Sequence, residues 1–363
     1  MANLAHVTRD SGWDDVGFRT DLDTTLPTFL DAQAQRLVPL GADADRLVAE
    51  ARIAVAGGKK FRAAFCNWWF RAREPEPADP AALLRACASL ELLHASALAH
   101  DDLMDASDTR RGRQATHRAF YTAHRSAGWR GDPEQYGAAA AILLGDLLQG
   151  WADELLRRCG LGWDRVGPAL EVFDLCRTEV IAGQFLDVSV QARGHADVET
   201  AMTVLRYKSA KYSIERPLHV GAALAGAGPE TLAALTAFGL PLGEAFQLRD
   251  DLLGVFGDPA TTGKPAGDDL VEGKRTVLVA LALDAAPAAD AALLDRSLGT
   301  RLSPPEVARL REVIEASGAH AQVEAVIGEL AGIAVAALDR ADVDEHAREV
   351  LRGLAAAVTQ RVL

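Results

Sequence analysis

The chain has 363 residues, of which 49% are hydrophobic, and this is enough apolar material for a large buried core. A formal net charge of −13 argues against a nucleic-acid partner and against a basic membrane-binding face. Aromatic residues make up only 6%, and the abundant alanine and leucine favour helix over sheet.

The first twenty residues are polar and irregular, which predicts a flexible N-terminal arm over 1–20 and a single all-α domain over 21–363. The start lacks the charged and apolar regions of a signal peptide. The sequence contains no run of about 18 uncharged apolar residues, so no membrane span is predicted. Four scattered cysteines without metal-like spacing indicate reduced thiols. These features predict a cytoplasmic protein.

Long apolar segments at helical spacing follow one another from Leu22 onward. The helices predicted from them span 81–105, 138–158, 166–190, 198–225 and 230–256, with short helices around 284–295. Glycine and proline separate these segments, and no strand alternation or fixed repeat is visible. The pattern predicts a bundle of long, mostly antiparallel helices around a central cavity.

The first aspartate cluster lies at the end of the helix predicted over 81–105 and consists of Asp101, Asp102 and Asp105. Asp101 and Asp105 are four residues apart and share a helix face, while Asp102 is turned about 100° away and has a supporting role. Such carboxylates repel one another unless a multivalent cation lies between them. Magnesium suits this pattern because it binds through a few carboxylates plus substrate phosphates.

The second aspartate cluster follows about 150 residues later, where Asp250 and Asp251 come shortly after Gln247. Lys264 and Lys274 lie downstream and are suited to binding phosphate. Acidic residues near a helix C-terminus gain nothing from the helix dipole. One such cluster alone fits a solvated helix end equally well. Two clusters, each followed by basic residues, favour a site for diphosphates and magnesium.

Five sequence elements in this order resemble the trans-prenyl (isoprenyl) diphosphate synthases. They cover roughly residues 50–280 and are Gly57–Arg62, Asp101–Gly112, Gly183–Asp187, Lys208-Ser209 and Phe246–Lys274. The chain departs from the family pattern at Gly254, where the second motif carries a third aspartate, although Asp258 remains further along. The finer metal geometry is therefore expected to differ at the second cluster.

The resemblance implies an enzyme that condenses isopentenyl diphosphate with dimethylallyl, geranyl or farnesyl diphosphate. The allylic diphosphate ionises, the double bond of isopentenyl diphosphate attacks the cation, and a proton is lost. Three magnesium ions in each active site and a homodimer are also implied.

The same resemblance assigns roles to individual residues. The implied magnesium ligands are Asp101, Asp102, Asp105, Asp250 and Asp251, which act in catalysis together with Lys208 and Gln247. The residues implied to bind isopentenyl diphosphate are Lys59, Arg62, His94 and Arg111. Those implied to contact the allylic diphosphate are Arg110, Lys208, Ser209, Gln247, Lys264 and Lys274. For Gln184 and Asp187, a place in the same cavity and a purely structural hydrogen bond both stay open.

Residues just before the first aspartate motif form the floor of the product cavity in this family. Ser96 and Ala97 stand there, about 6–7.5 Å along the helix from Asp101. Such small side chains let a growing tail pass toward Leu93 and Leu90. A product longer than fifteen carbons is expected, and geranylgeranyl diphosphate fits best.

Three other interpretations compete with a synthase. A class I terpene cyclase has an Asn/Asp, Ser and Glu triad as its second metal site, whereas Asp250, Gly254 and Asp258 stand at that spacing here. An inactive regulatory subunit is expected to have lost motif residues, and this chain keeps nearly all of them. The third alternative is an all-α scaffold with acidic helix ends.

Overall fold

A computed structural model describes residues 17–258 and 267–360, and α-helices dominate these ranges. The helices of the first half are α1 (Phe18–Leu37), α2 (Ala42–Val55), α3 (Phe61–Arg71), α4 (Pro80–Met104), α5 (Thr116–Ala127), α6 (Pro133–Arg157) and α7 (Trp163–Arg193). Those of the second half are α8 (Val198–Val204), α9 (Arg216–Leu224), α10 (Pro229–Phe256), α11 (Asp268–Glu272), α12 (Val277–Ala285), α13 (Ala288–Ser297), α14 (Pro304–Ala316), α15 (Ala319–Arg340) and α16 (Glu345–Thr359). The all-α prediction is confirmed.

The first helix begins earlier than the sequence indicated. Phe18 starts α1 and is buried in the core, together with Leu22, Leu26 and Leu30. Residues 18–20 therefore belong to a helix, whereas the sequence placed them in the N-terminal arm. Residues 1–16 of that arm lie outside the described residues.

Helix α4 runs through the core and carries the first aspartate cluster at its C-terminal end. It begins where the Asp79 carboxylate accepts a hydrogen bond from the Ala82 amide at 2.8 Å, with Pro80 in the first turn. It packs on α6 and α3. The amide of Asp105 donates to the carbonyl of Asp101 at 2.8 Å, so the helical turn continues through the cluster. The predicted shared face of Asp101 and Asp105 therefore exists.

The segment predicted as one helix over 198–225 consists of three parts. A π-helix, Leu205–Glu215, separates α8 from α9. Two neighbouring helices approach this segment closely: a Cβ on Gly183 would lie 2.3 Å from the Lys208 amide nitrogen, and one on Gly243 would lie 2.5 Å from the Ala210 carbonyl oxygen. Pro217 in addition lacks the amide that would bond back to the preceding turn. Local composition does not reveal this wider winding.

The second half of the molecule has its own core cluster, built by α10, α12, α14 and α15. Helix α10 packs along α15 and against the π-helix. The short helices α12 and α13 are separated at Ala286 and Pro287, which confirms the short helices expected in this region. Asp250 and Asp251 lie within the last two turns of α10.

Two helices, α4 and α15, are long and apolar enough to cross a membrane by length and composition alone. The most apolar window of α4 is 67% buried, as in the core helix of a globular domain. The corresponding window of α15 is only 22% buried, but it carries Glu324, whose carboxylate binds Arg249 of α10 at 2.5 Å. Neither feature requires a membrane.

Candidate active site

Asp101 of the first cluster lies among several polar and basic side chains. Its Oδ1 accepts a hydrogen bond from the Gln184 amide at 3.0 Å and lies 3.1 Å from Nζ of Lys208. Burial alone would raise the pKa of Asp101, but the positive charges of Lys208, Lys274 and Arg110 outweigh it and hold that pKa below its usual value. Asp101 is therefore ionised throughout the neutral range.

Asp105 is the second carboxylate on the same face. Burial and the neighbouring charge of Asp101 raise its pKa. Both of its carboxylate oxygens are buried and have no hydrogen-bond partner among the described residues, although Nζ of Lys274 lies 3.2 Å from Oδ2. Buried carboxylate oxygens that accept no hydrogen bond are suited to bind a hard cation, because the cation compensates their charge. The residues of the first cluster therefore fit magnesium.

Asp102 points to a different partner. Nε of Arg110 donates to its Oδ1 at 2.8 Å, and a second guanidinium nitrogen contacts the same oxygen. Arg110 is held by a small hairpin, β1 (Thr109–Arg110) and β2 (Arg113–Gln114), whereas the sequence indicated no strand. The Asp102 carboxylate thus holds the Arg110 side chain, which lies 3.7 Å from Asp101.

The turn of this hairpin brings Arg111 onto the glycine-rich segment before α3. Arg111 donates to the Ala56 carbonyl at 2.7 Å, and a Cβ on Gly58 would lie 2.9 Å from its guanidinium. Gly58 has a φ of 80°, which favours glycine, and its lack of a side chain leaves room for the Arg111 guanidinium. Lys59 beside it is exposed, whereas its neighbour Lys60 is buried and donates to the Val55 carbonyl. Arg111 thus contacts the glycine-rich segment that carries Lys59.

Arg62 and His94 meet at the π-helix. The Arg62 guanidinium lies 4.2 Å from the ring centre of Tyr212 and donates to the Ser213 hydroxyl at 2.7 Å. Nδ1 of His94 lies 2.5 Å from the Tyr212 hydroxyl. Burial and the charges of Arg62 and Arg111 lower the pKa of His94 well below its usual value. A neutral histidine beside two guanidinium groups leaves this pocket suited to an anion.

Helix α7 supplies two further polar groups. Gln184 contacts Asp101, and Asp187 accepts a hydrogen bond from Nζ of Lys208 at 2.6 Å. Burial lowers the pKa of Lys208, but Asp101 and Asp187 more than compensate and the net shift is upward. Gly183 permits the close approach that this geometry needs. Both side chains thus lie at the site, in direct contact with its charged residues.

The second cluster has one exposed and one buried carboxylate. Asp250 is exposed, whereas Asp251 is buried and accepts a hydrogen bond from the Gln247 amide at 2.8 Å. Burial and the negative charges of Asp269 and Asp250 raise the pKa of Asp251 to about 8. Asp250 is therefore exposed to solvent, while Asp251 is buried and orients Gln247.

Lys274 connects the two clusters. Its Nζ lies 3.2 Å from Oδ2 of Asp105, 3.7 Å from Oδ1 of Asp269 and 2.5 Å from Oε2 of Glu272. Burial lowers its pKa, but these carboxylates and Asp101 raise it well above the usual value. The structure therefore brings the two distant acidic motifs to one place, as the sequence indicated. Lys264 lies outside the described residues.

Residues predicted to set the product length lie on α4 before the first cluster. Leu93 and Ser96 are buried at 3% and 2% exposure, and Ala97 is partly exposed. Ala97 is one turn from Asp101 and shares its face. Ser209, on the π-helix beside Lys208, is also partly exposed.

Within residues 17–258 and 267–360, no three histidine, cysteine or acidic side chains already converge as a metal site. Four side chains at the site received no role from the sequence: Tyr212, Ser213, Asp269 and Glu272. Asp269 lies within the sequence element Phe246–Lys274 that resembles the family, so the sequence contained a signal for it. The sequence contained no such signal for Tyr212 and Ser213, because the π-helix that places them was not predicted.

Residues 46–316 match the family model described as polyprenyl synthetase. The chain belongs to this family. A short chain isoprenyl diphosphate synthase from Methanothermobacter thermautotrophicus is 33% identical over 316 residues, which is 87% of this chain and 90% of that protein. A (2E,6E)-farnesyl diphosphate synthase from Mycobacterium tuberculosis is 34% identical, over 72% of this chain and 68% of the relative. This chain is therefore a prenyltransferase.

Solved structures agree. A geranylgeranyl pyrophosphate synthase from Corynebacterium glutamicum, complexed with isoprenyl diphosphate and magnesium, superposes with a TM-score of 0.92 at 42% identity. The similarity covers 95% of this chain and 99% of that one. A Trypanosoma brucei farnesyl diphosphate synthase shares the fold with a TM-score of 0.80 at 19% identity. The helical bundle is therefore that of isoprenyl diphosphate synthases.

Proposed function

We propose that this chain condenses isopentenyl diphosphate with an allylic diphosphate and makes geranylgeranyl diphosphate as its main product. The observation that supports this best is that Nζ of Lys274 lies 3.2 Å from Asp105 of the first cluster and 3.7 Å from Asp269, whose charge acts on Asp251 of the second cluster. Two aspartate clusters with basic side chains between them are suited to bind a diphosphate together with magnesium.

Each group of residues has its own task in this proposal. Asp101, Asp105 and Asp250 would hold magnesium, with Asp102 and Asp251 supporting them, and three ions in each active site are expected. Lys208 and Lys274 would donate to the phosphate oxygens of the allylic substrate. Magnesium, when bound, would neutralise the diphosphate and favour its departure.

The second substrate would occupy the pocket beside the π-helix. Arg62, Arg111 and Lys59 would bind the diphosphate of isopentenyl diphosphate, and a neutral His94 would donate a hydrogen bond to it. Arg110, whose charge acts on His94, also lies 3.7 Å from Asp101, which supports placing this pocket beside the first cluster. Two diphosphate sites side by side favour condensation over cyclisation of a single substrate.

A magnesium-dependent assay tests the activity. Isopentenyl diphosphate is incubated with dimethylallyl, geranyl or farnesyl diphosphate, and the products are sized by chromatography. Geranylgeranyl diphosphate is expected as the main product, with no product after chelation of the metal. Elongation of none of the three primers would contradict the proposal. Hydrocarbon formed from geranylgeranyl diphosphate alone would instead favour a cyclase, and activity only with an added homologue would favour a regulatory subunit.

The proposal includes a cytoplasmic homodimer. Exposed apolar side chains on α6 and α7 support self-association: Ile142, Leu143, Leu175, Ile181, Phe185 and Val188. Phe185 is 74% exposed, which is costly for so large an aromatic side chain unless a partner covers it. All four cysteines are buried free thiols, in keeping with a reducing compartment.

Light scattering after size-exclusion chromatography tests the dimer. Phe185→Glu is expected to shift the protein to monomer, because a carboxylate would be buried at the interface. Ile333→Glu on α15 is the matched control, since Ile333 is 47% exposed on another helix. A monomeric wild-type protein would contradict the proposed dimer, and a dimeric Phe185→Glu variant would place the interface elsewhere.

A further inference from the structure

A group of buried charged side chains lies between α7 and the end of the π-helix, and it includes neither aspartate cluster. Glu179 of α7 is 8% exposed and accepts hydrogen bonds from Nζ of Lys211 at 2.6 Å and from Nε and Nη2 of Arg216 at 2.6 and 2.8 Å. Lys211 belongs to the π-helix, and Arg216 begins α9 directly after it. One carboxylate therefore binds the two cations that enclose residues 212–215.

The residues between these two cations hold the pocket assigned to isopentenyl diphosphate. Ser213 accepts a hydrogen bond from the Arg62 guanidinium at 2.7 Å, and the hydroxyl of Tyr212 lies 2.5 Å from Nδ1 of His94. A shift of this short segment would therefore move the partners of both polar groups in the pocket. We propose, on the basis of the two-substrate function above, that Glu179 is a positioning residue for this pocket and acts through the π-helix.

A π-helix of this length needs support from its neighbours. Most π-helices are single-turn bulges, whereas this one spans 11 residues, Leu205–Glu215. Helix α7 supplies support at regular intervals, because Glu179, Gly183 and Asp187 are four residues apart and share one face. Gly183 permits the close approach of the two backbones, and Asp187 accepts a hydrogen bond from Lys208 at 2.6 Å. One face of α7 thus holds both halves of the π-helix, with one carboxylate for each half.

The end of the π-helix is also held from α10 and α9. The hydroxyl of Thr236 on α10 donates to Oε1 of Glu215 at 2.7 Å. Nη1 of Arg216 lies 2.9 Å from Nδ1 of His219 on α9. Burial and the charge of Arg216 lower the pKa of His219 to about 4, so a neutral imidazole accepts this hydrogen bond. Buried ion pairs add little net stability because both partners lose their hydration, but each further contact restricts the segment to one arrangement.

The two carboxylates of α7 hold parts of the π-helix that serve different substrates. Asp187 binds Lys208, which is assigned to the allylic diphosphate, whereas Glu179 binds the two cations that enclose Tyr212 and Ser213. Loss of the Glu179 charge should therefore weaken binding of isopentenyl diphosphate and leave the allylic substrate almost unaffected. A residue that only stabilised the fold would affect both substrates equally.

Steady-state kinetics with each substrate varied in turn test this difference. Glu179→Gln, which keeps the size and removes the charge, should raise the KM for isopentenyl diphosphate by about tenfold, because the pocket loses its fixed geometry. The KM for the allylic diphosphate and kcat should change by less than about twofold. Glu154→Gln is the matched control, since it removes a carboxylate that binds Arg36 of α1 at 2.6 Å, and it should change neither KM. An unchanged KM for isopentenyl diphosphate in Glu179→Gln, or equal rises for both substrates, would overturn the proposal.

Hydrogen–deuterium exchange without substrate, followed by mass spectrometry, tests the positioning independently of activity. Glu179→Gln should increase exchange in peptides that cover residues 205–215, and Glu154→Gln should not. Arg216→Lys keeps the charge but loses the bidentate contact, so it should give a smaller increase in the same peptides and provides the test if Glu179→Gln does not fold. An inactive wild type would contradict the proposed function, whereas unchanged exchange in both variants would contradict the positioning role of Glu179.

Discussion

At the first aspartate cluster, all three carboxylates come from five consecutive residues at the end of α4. At the second cluster, Asp250 and Asp251 come from α10, and a further carboxylate, that of Asp269 on α11, lies beside Gly254. The first cluster is paired with basic side chains from three other elements, whereas Asp251 has a raised pKa and binds an amide. The geometry of the first cluster is thus set by one helix and its charged partners. The geometry around the second cluster depends on how α11 packs beside α10.

Removing the charge of Asp101 should have the largest effect on activity. We expect Asp101→Asn to lower kcat/KM by about a thousandfold and Asp250→Asn by about a hundredfold, the range found when one electrostatic contact to a developing charge is lost. The first loss is larger because Asp101 also faces Lys208. Steady-state kinetics measure both, with Asp290→Asn, on the surface of α13, as the control. A larger loss in Asp250→Asn would reverse the ranking of the clusters.

Removing the connection between the clusters should come next. Lys274→Met would leave the carboxylates of Asp105 and Glu272 without a buried cation. We expect a loss of about a hundredfold in kcat/KM. We also expect a fall of about 3 kcal/mol in the free energy of unfolding, as for other buried pairs that lose one partner.

Chemical denaturation measures the stability of this variant, and Lys274→Arg, which keeps the charge, is the control. If Lys274→Met unfolded like the wild type, the lysine would not hold the clusters together.

Much of this site could be predicted from the sequence because its parts are local. The four-residue spacing of Asp101 and Asp105 on an apolar helix dictates a shared face, and Lys274 follows the second motif closely. Five ordered elements then indicated the family, which the family match and the solved structures confirm. Helical periodicity and residue spacing were sufficient to predict the site wherever a single helix determines which side chains share a face.

The remainder depends on contacts between elements. Local propensity does not distinguish the π-helix from an α-helix, so the placement of Tyr212 was not foreseen. The neighbourhood of Gly254 and Asp269 follows from the packing of α11 against residues far away in the chain. The hairpin that turns Arg110 toward Asp102 was missed because two residues are too few to show strand alternation.

The helices that carry the clusters should also differ in their effect on product length. Ser96→Phe on α4 is expected to shorten the main product, because a large side chain would narrow the path toward Leu93. Ala97→Phe should shorten it as well, since Ala97 shares the face of Asp101. Chromatography of the products measures both, and Leu235→Phe on α10 is the control. Unchanged products in both α4 variants would contradict the proposal that Ser96 and Ala97 form the floor of the product cavity.

The smallest expected effect concerns the pH dependence of stability without metal. The pKa of Asp251 is raised from 3.8 to about 8 by burial and by Asp269 and Asp250, so between these values the folded state binds a proton that the unfolded state lacks. The contribution of Asp251 to stability is therefore complete below the lower value and lost as pH rises through the upper one. Asp251→Asn resembles the protonated acid at every pH and should therefore lack this loss of stability with rising pH.

The measurement is the thermal midpoint of wild type and Asp251→Asn between about pH 6 and pH 9, in the presence of a chelator. The wild type should lose more stability than the variant as pH rises across this range. Asp101→Asn should not flatten the curve in this way, because the pKa of Asp101 is lowered and it is already ionised there. Parallel curves for the wild type and Asp251→Asn would mean that Asp251 is ionised before metal binds, and the electrostatic contrast between the clusters would then disappear.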